Sequence, residues 1–514
     1  MNRVLRVCLM FALVVLIGLS SCNNASIDAG STLNNVPEDA SFLVSINPQQ
    51  LMDKADFEAV KEMEFYQAMI DELKEGDEQE LINILNNPAE SGIDLARDAS
   101  LFFAPDGDNM NEMTGGLIFG IADVGKLESI VSKSKDPIQS SGDFKYMETK
   151  GGEGVIAWTD NIGFAGRVDG EDVETKIGDI LSGNNNIAAN SSVQKALGGK
   201  HDISYWMTSS NIAAMLYDEF GFQLSALSLK RSDLMDNTVA GYTDFEAGKI
   251  STKGKYDLSS GLLKDIKLIA KDEVKTNFRS YISTKDLGMV FSGALNMKGI
   301  NQLMKDKGAD GFFNKQAEQY DVTTDDVADA IDGDMFVATY NVEGEREPDF
   351  LMGMKLGDKK QFDKLMDLMV VLNGASKTGK DSYKVDAPNK DVMIQIQDNI
   401  MFVSTNDGIL EQALSGVPSD EQVDKSLMSQ IGDGIFGMFM DFNSLSKMTG
   451  DDTPFASEMD YMTSSSNWDG SSAVMVMKDK DQNSLKLIMK AINEGYKQQE
   501  EWRKKFEKKE DTEL

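Results

Sequence analysis

Apolar residues in this chain recur in short runs that enter and leave turns, as in Phe42-Leu-Val-Ser-Ile46, Ala99-Ser-Leu-Phe-Phe-Ala104, Leu117-Ile-Phe-Gly-Ile121 and Val155-Ile-Ala-Trp158. Runs of this length, bounded by Gly, Asn and Asp, read as strands. Between them lie stretches with helical spacing, among them Val124 to Val131, Asp172 to Leu181 and Phe362 to Leu372. Acids mark several helix starts: Asp172 before Val173, Asp358 before Lys359, and Asp326 beside Val327. A carboxylate there meets the unpaired N–H groups and the positive end of the helix dipole. Strands in adjacent pairs with helices between the pairs predict an α+β fold with a mainly antiparallel sheet.

The pattern repeats. Trp158-Thr-Asp160-Asn161-Ile162-Gly-Phe164 returns as Gln397-Asp398-Asn399-Ile400-Met-Phe402, in each case a strand, a turn and a strand. Phe42 to Ile46 with Gln50-Leu51-Met52 matches Met289 to Ser292 with Gln302-Leu303-Met304. Ala99 to Ala104 and Leu117 to Ile121 match Met335 to Tyr340 and Phe350 to Met354; Ile203 to Met207 with Asn211 matches Ile435 to Met440 with Asn443. Several blocks in one order imply duplication, and two copies of so large a unit imply tandem domains rather than a solenoid. The expected boundaries are residues 37–281 for the first α+β domain, 282–492 for the second, and 493–514 for a charged C-terminal helix. That helix, with Tyr496, Trp502 and Phe506 as its apolar positions, is expected to pack on the second domain.

The N-terminus carries an address. Arg3 and Arg6 precede an apolar run from Val7 to Leu19, too short to span a bilayer comfortably but suited to a signal-peptide core. It ends in Leu19-Ser20-Ser21-Cys22, which resembles the lipobox of bacterial lipoproteins. The resemblance implies cleavage after residue 21 and a diacylglyceryl group on Cys22, enough lipid for stable anchoring. Residues 22–36 are polar and small and read as a flexible tether spanning about 20 Å. Asn23, where an aspartate would favour inner-membrane retention, points to the outer membrane. A single acid nearby, Asp28, favours the periplasmic face over the cell surface.

Loss of residues 1–21 also removes Cys8, so no disulfide can form within one copy. It takes the net charge from −34 to −36, because Arg3 and Arg6 go with it. Such acidity keeps an exported protein soluble and argues against nucleic acid as a partner and against adsorption to anionic lipid.

The opening Val36-Pro37-Glu38-Asp39-Ala40-Ser41-Phe42, the lipobox and the two-fold repeat together resemble an uncharacterised family of large Bacteroidetes lipoproteins built on a domain of unknown function. The resemblance implies location and architecture, and supplies no activity.

Candidate chemistry is sparse. One histidine, His201, excludes sites needing two or more imidazoles, and its place between Lys200 and Asp202 reads as an exposed loop. Ser192-Val-Gln-Lys195, Ser209-Ser210-Asn211 and Lys377-Thr378-Gly379 imitate the motifs of penicillin-binding enzymes, but the first two stand too close together and the third falls in a loop across the repeat boundary. Asp106-Gly-Asp108-Asn109-Met110-Asn111-Glu112 opens like a calcium loop yet lacks its later ligands and reads as a solvated turn. No catalytic, metal or cofactor residue is therefore assigned, and the one modification site is Cys22. Thirty methionines include Met438, Met440, Met475 and Met477 at alternate strand positions, where core is the preferred reading and an adaptable binding surface the other. The expected function is a non-enzymatic binding or scaffold module anchored through Cys22, its partner an envelope protein. A carboxylate-based hydrolase of envelope polymers and a carrier of an apolar ligand are the alternatives.

Overall fold

The structure, a computed structural model, describes residues 31–513 except 77, 107–108, 135, 150–153, 171, 198, 211–212, 214–216, 218–219, 222–229, 309, 318–319, 341–347, 373, 389 and 450–453. The chain forms two compact units. One gathers everything up to Ser259 together with Asp479–Leu514, and the other is Ser260–Lys478.

The strands of the first unit are β1 (Phe42–Ile46), β2 (Ala99–Asp106), β3 (Asn109–Gly120), β4 (Gln139–Ser141), β5 (Phe144–Glu148), β6 (Val155–Trp158), β7 (Ile162–Val168), β8 (Ile203–Thr208), β9 (Thr238–Glu246) and β10 (Lys249–Asp257). They pair antiparallel in the order β4-β5-β6-β7-β3-β2-β1-β8-β9-β10. The second unit contributes β11 (Leu287–Ala294), β12 (Ile331–Tyr340), β13 (Asp349–Leu356), β14 (Ser376–Lys377), β15 (Ser382–Val385), β16 (Val392–Gln397), β17 (Ile400–Ser404), β18 (Phe436–Asp441), β19 (Met459–Ser466) and β20 (Gly470–Met477). Their antiparallel order is β14-β15-β16-β17-β13-β12-β11-β18-β19-β20. Position for position the two orders are the same, so the α+β architecture expected from the pattern is present twice.

Local details repeat with the topology. After β1, Asn47 caps the helix Pro48–Ala55 by accepting from the Gln50 N–H; after β11, Asn296 caps Met297–Asp306 through the Gly299 N–H. After β3 and β13 the capping side chains are Asp123 and Asp358. Asn161 and Asn399 lie in the turns of the equivalent hairpins β6–β7 and β16–β17. Each accepts a backbone hydrogen bond at 3.0 Å, from the N–H of Ile121 and Leu356 respectively. The turns themselves differ. Asp398 (φ 52°) and Asn399 (φ 60°) both adopt the left-handed conformation that a two-residue hairpin turn demands. The first copy is a residue longer, and the Thr159 hydroxyl accepts from the N–H groups of Asn161 and Ile162 instead.

Both faces of the first sheet are buried. Leu43, Phe102, Ile118, Phe164 and Trp206 face the helix Val173–Ser182. Val44, Ile46, Phe119 and Phe245 face the helices of residues 48–86 and the C-terminal helix Ser484–Glu513. In the second unit Val290, Phe336, Ala338, Leu351, Phe402 and Phe439 form the main core beneath Asp407–Ser415 and Lys425–Gly432. A smaller cluster seats the helix Lys359–Val371 on Ile394 and Ile396.

Three expectations change. The segment 260–281, placed by sequence in the first domain, belongs to the second unit, because Phe278 and Ile282 are buried in its core and Lys271 pairs with Asp334. The C-terminal helix begins at Ser484 rather than Asn493 and packs on the first unit. Its Leu485 and Ile488 join Val44 and Tyr66, and Lys486 reaches Asp56 at 2.6 Å. The first unit is thus assembled from both ends of the chain. Finally, the described end of the expected tether is folded. Thr32–Asn35 form a turn of 3-10 helix, with Thr32, Leu33 and Val36 buried. Leu33 and Val36 are three residues apart, and that spacing turns both onto the core.

Of the four methionines singled out by sequence, Met477 is core as expected and the others are half-buried. Phe439 takes the core-facing position of β18, so Met438 and Met440 point to the opposite face. Register extends that face across the sheet: Met289 opposes Met440, Phe291 opposes Met438, and Met335 opposes Met354. These residues are half-buried, as is Met475, whereas Met477 is fully buried. Truncating Phe439 to Ala should therefore cost about 3–5 kcal/mol, and Met440→Ala about 1 kcal/mol. Urea melts of the two variants check this; equal losses would mean that the two faces are equally packed.

Candidate functional site

A cleft with convergent polar groups lies in the second unit, between the helix Asp407–Ser415 and strands β15 and β16. Its volume is about 690 Å³, and its apolar lining includes Met393, Ile394, Leu410 and Leu414. At its base is Asp349, the first residue of β13 and 1% exposed. Its carboxylate accepts from Lys390 Nζ at 2.9 Å, Thr405 Oγ1 at 2.9 Å and Asn406 Nδ2 at 3.0 Å. Burial disfavours the charged form, but these donors outweigh it and hold the carboxyl below the usual aspartate range. An aspartate saturated in this way neither offers nor takes a proton near neutrality. It fixes the β13–β17 junction: the Asn406 side chain holds the carboxylate through its amide and caps the helix through its oxygen.

Two further aspartates follow the same rule. Asp334, on β12, receives Lys271 Nζ at 2.8 Å and three donors from Lys275 and Thr276. Burial opposes its charge as well, and these bonds again win, lowering its pKa. Asp202, just ahead of β8, is fully buried against Lys54 Nζ and the Phe245 N–H, both at 2.6 Å, and Gln50 Nε2. Asp202 and Asp349 stand at the mouths of apolar strands, and Asp334 is the fourth residue of one. The pattern is visible in the sequence as Asp202-Ile203, Asp334-Met335 and Asp349-Phe350, but it was not read there as a structural site.

The residues singled out by sequence are dispersed. Cys22 lies outside the described residues, as do Gly107, Asp108 and Asn211; nothing is described of the side chains of Asp106 and Asn109 to Asn111. Ser192, in the first unit, donates from Oγ to Asn190 Oδ1 at 2.7 Å and accepts from Trp206 Nε1 at 3.1 Å, so its hydroxyl holds the helix Ser191–Leu197 to β8. Ser209 donates to the carbonyl of Leu234. Lys377, in the second unit, stands on the edge strand β14 rather than in a loop, with its ammonium 5.4 Å from the Tyr383 ring centre. His201 corrects the expectation of an exposed residue. It is buried and stacked on Tyr242 with ring centres 5.2 Å apart, because Asp202 draws this segment inward. Burial lowers its pKa to about 4, with Lys54 adding to the effect and Asp244 opposing it. Among the described residues no group of three His, Cys, Asp or Glu could hold a metal ion, and no helix is long and apolar enough to cross a membrane.

The fold and the cleft define an α+β protein with one strand order in both of its units, whose buried carboxylates serve its framework. Residues 33–415, most of the chain, match the family described as domain of unknown function DUF4836, and the chain belongs to that family. No curated protein matches it. Among solved structures, crystal form I of TP0453 is 10% identical at a TM-score of 0.25, over 46% of this chain and 81% of that one. Crystal form III of the same protein is 9% identical at a TM-score of 0.27, over 49% and 90%.

The shifted groups define an acid profile. His201 has a folded pKa below its unfolded value near 6.5, so its contribution is complete above about pH 6.5 and falls away as the pH drops towards 4. Asp334 and Asp349 extend the loss further, because their contributions are complete above about pH 4 and disappear as the pH falls through their lowered folded values. Denaturant melts of His201→Phe should be flat between pH 6.5 and 4.5 where the wild type declines; an unchanged slope would assign that decline to other groups. Asp349→Ala should cost about 3 kcal/mol, since it removes the buried acceptor shared by Lys390, Thr405 and Asn406.

Proposed function

We propose that this chain is a lipid-anchored envelope protein, exported, cut before Cys22 and attached at the outer membrane facing the periplasm. In this reading it works as a non-enzymatic binding or scaffold module for an envelope protein. The observation that carries the non-enzymatic part is the fate of its most reactive-looking groups. The Ser192 hydroxyl is held between Asn190 and Trp206, and the Asp349 carboxylate is saturated by three donors. A nucleophile needs a base within about 3 Å and a free trajectory, and a general acid needs a proton to give. The address rests on Arg3, Arg6, the apolar run and Leu19-Ser20-Ser21-Cys22.

A second reading, carriage of an apolar ligand, is favoured by the half-buried methionine face of the second unit. Flexible thioethers adapt to ligands of varied shape.

Two outcomes are expected. Cys22→Ser should move the protein from the membrane pellet to the soluble fraction after a high-salt wash; retention in the pellet would mean that lipid on Cys22 is not the anchor. Ser192→Ala should keep the fold, lose about 1 kcal/mol with the Trp206 hydrogen bond, and leave biological function intact. A fluorescent β-lactam should not label the wild type, and labelling that vanishes in Ser192→Ala would overturn the non-enzymatic reading.

A further inference from the structure

The two units differ in what fills the space between the edge hairpin and the helix beside it. Phe164 of β7 and Phe402 of β17 hold equivalent core places, each two residues after the isoleucine that leaves the hairpin turn. Register carries the equivalence outwards. Phe164 opposes Ala157, which opposes Tyr146; Phe402 opposes Gln395, which opposes Ser382. Side chains paired across antiparallel strands share a face, so Ser382 stands where the first unit has Tyr146. On the helices, Ile177, Ile180 and Leu181 are spaced as Leu410, Ala413 and Leu414 are, which puts Glu411 in the place of Gly178.

In the first unit aromatic rings close this space. Tyr146 is buried with its ring centre 5.9 Å from that of Phe144, and Phe144 packs so near the helix that a methyl group on Gly178 would meet its ring at 3.4 Å. In the second unit both rings are missing: Ser382 replaces Tyr146, and two residues before it, in the place of Phe144, is the exposed Lys380. What remains is the cleft of about 690 Å³, a size at which small-molecule sites are found, about 300–1,000 Å³. The Ser382 hydroxyl is spent on Gln395 Oε1, and Met393, Leu410 and Leu414 leave an apolar floor.

The charges along the cleft select the polar end of a ligand. Lys390 is committed to the buried Asp349 at 2.9 Å, and Lys384 to Asp391 at 2.6 Å and Asp386 at 3.2 Å. Lys377 opposes Tyr383 and so belongs to the other face of the sheet. Asp407 and Glu411 also line the cleft, and among the described residues neither forms an ion pair. They share one helix face with Leu410 and Leu414. An anion entering here meets two free carboxylates and no free ammonium, whereas a cation meets the reverse. We propose that the cleft binds a small aromatic ligand carrying a positive charge. Its ring lies on Met393, Leu410 and Leu414, in the space that Phe144 and Tyr146 close in the first unit, and its cationic group stands beside Asp407 and Glu411. A thioether against a ring edge favours such an occupant. The site is separate from any surface that an envelope protein would use and does not depend on that reading.

The test uses the full Cys22→Ser chain, studied without detergent, and isothermal titration with tyramine, 4-hydroxyphenylacetate and ethylamine. Tyramine should bind about 10-fold more tightly than either of the others, since one lacks the ammonium group and the other the ring. Ser382→Tyr, which supplies the ring present in the first unit, should abolish tyramine binding without lowering the melting temperature. Glu411→Gln, a change at an exposed position, should weaken binding about 5-fold at low salt and less at high salt. Absence of tyramine binding by the parent chain, equal binding of 4-hydroxyphenylacetate, or full binding by a folded Ser382→Tyr chain overturns the proposal. If Ser382→Tyr does not fold, Glu411→Gln decides, and unchanged affinity there overturns it as well. None of these outcomes depends on lipid at Cys22, so the anchor and the cleft fail separately.

Discussion

In both units the first strand lies at the centre of the sheet, and what flanks it on one side comes from far along the chain. β1 pairs with β2 and also with β8; β11 pairs with β12 and also with β18. Closing such long loops costs chain entropy before any contact repays it. One buried aspartate sits where such a closure is completed, and two more tie other parts of the second sheet together. Asp202 fixes the entry to β8 by drawing in Lys54, Gln50 and the backbone of β9. Asp334 ties the segment before β11 to β12, and Asp349 ties β13 to the end of β17. A charge removed from water is tolerated only when every lone pair finds a donor, so these contacts specify register as much as they stabilise it.

Strand parity then decides what each surface can do. In the first unit Leu43 and Val44 point to opposite faces and both faces are covered, giving two cores on one sheet. In the second unit Val290 and Phe439 turn one face to the core, and Met289, Phe291, Met438 and Met440 form the other. The same framework therefore carries two large cores in one copy and, in the other, a main core on one face with a smaller core and half-buried methionines on the opposite face.

Much of this architecture was legible. Alternating apolar runs and Asp-Asn turns located the strands and the repeat, because a turn needing left-handed backbone restricts its residues. The cap Asp358 and the capping-box acid Asp326, partner of Thr323, were legible for the same local reason, whereas Asp172 precedes its helix without a capping hydrogen bond. Unit boundaries were not, because the spacing of Phe278 and Ile282 is as compatible with the end of one domain as with the start of another. The partner of the C-terminal helix was equally hidden, since an amphipathic stripe states that a face is buried and not against what. The burial of His201 escaped because its flanking charges, Lys200 and Asp202, suggest solvent, whereas Asp202 is the residue that pulls the segment inside. The three buried aspartates looked like solvated loop acids among 85 candidates.

The chain order of the first unit has a consequence for synthesis. Its core on one face of the sheet needs Leu485 and Ile488, residues translated after the whole of the second unit. The second unit, lying wholly within Ser260–Lys478, has all its parts before then. A chain that emerges N-terminus first would thus complete its later half before its earlier one. Until the last segment arrives, the apolar face around Val44, Tyr66 and Phe245 stays open to whatever chaperone escorts the nascent protein. A nonsense mutation near the C-terminus would then do its damage in the N-terminal half of the molecule.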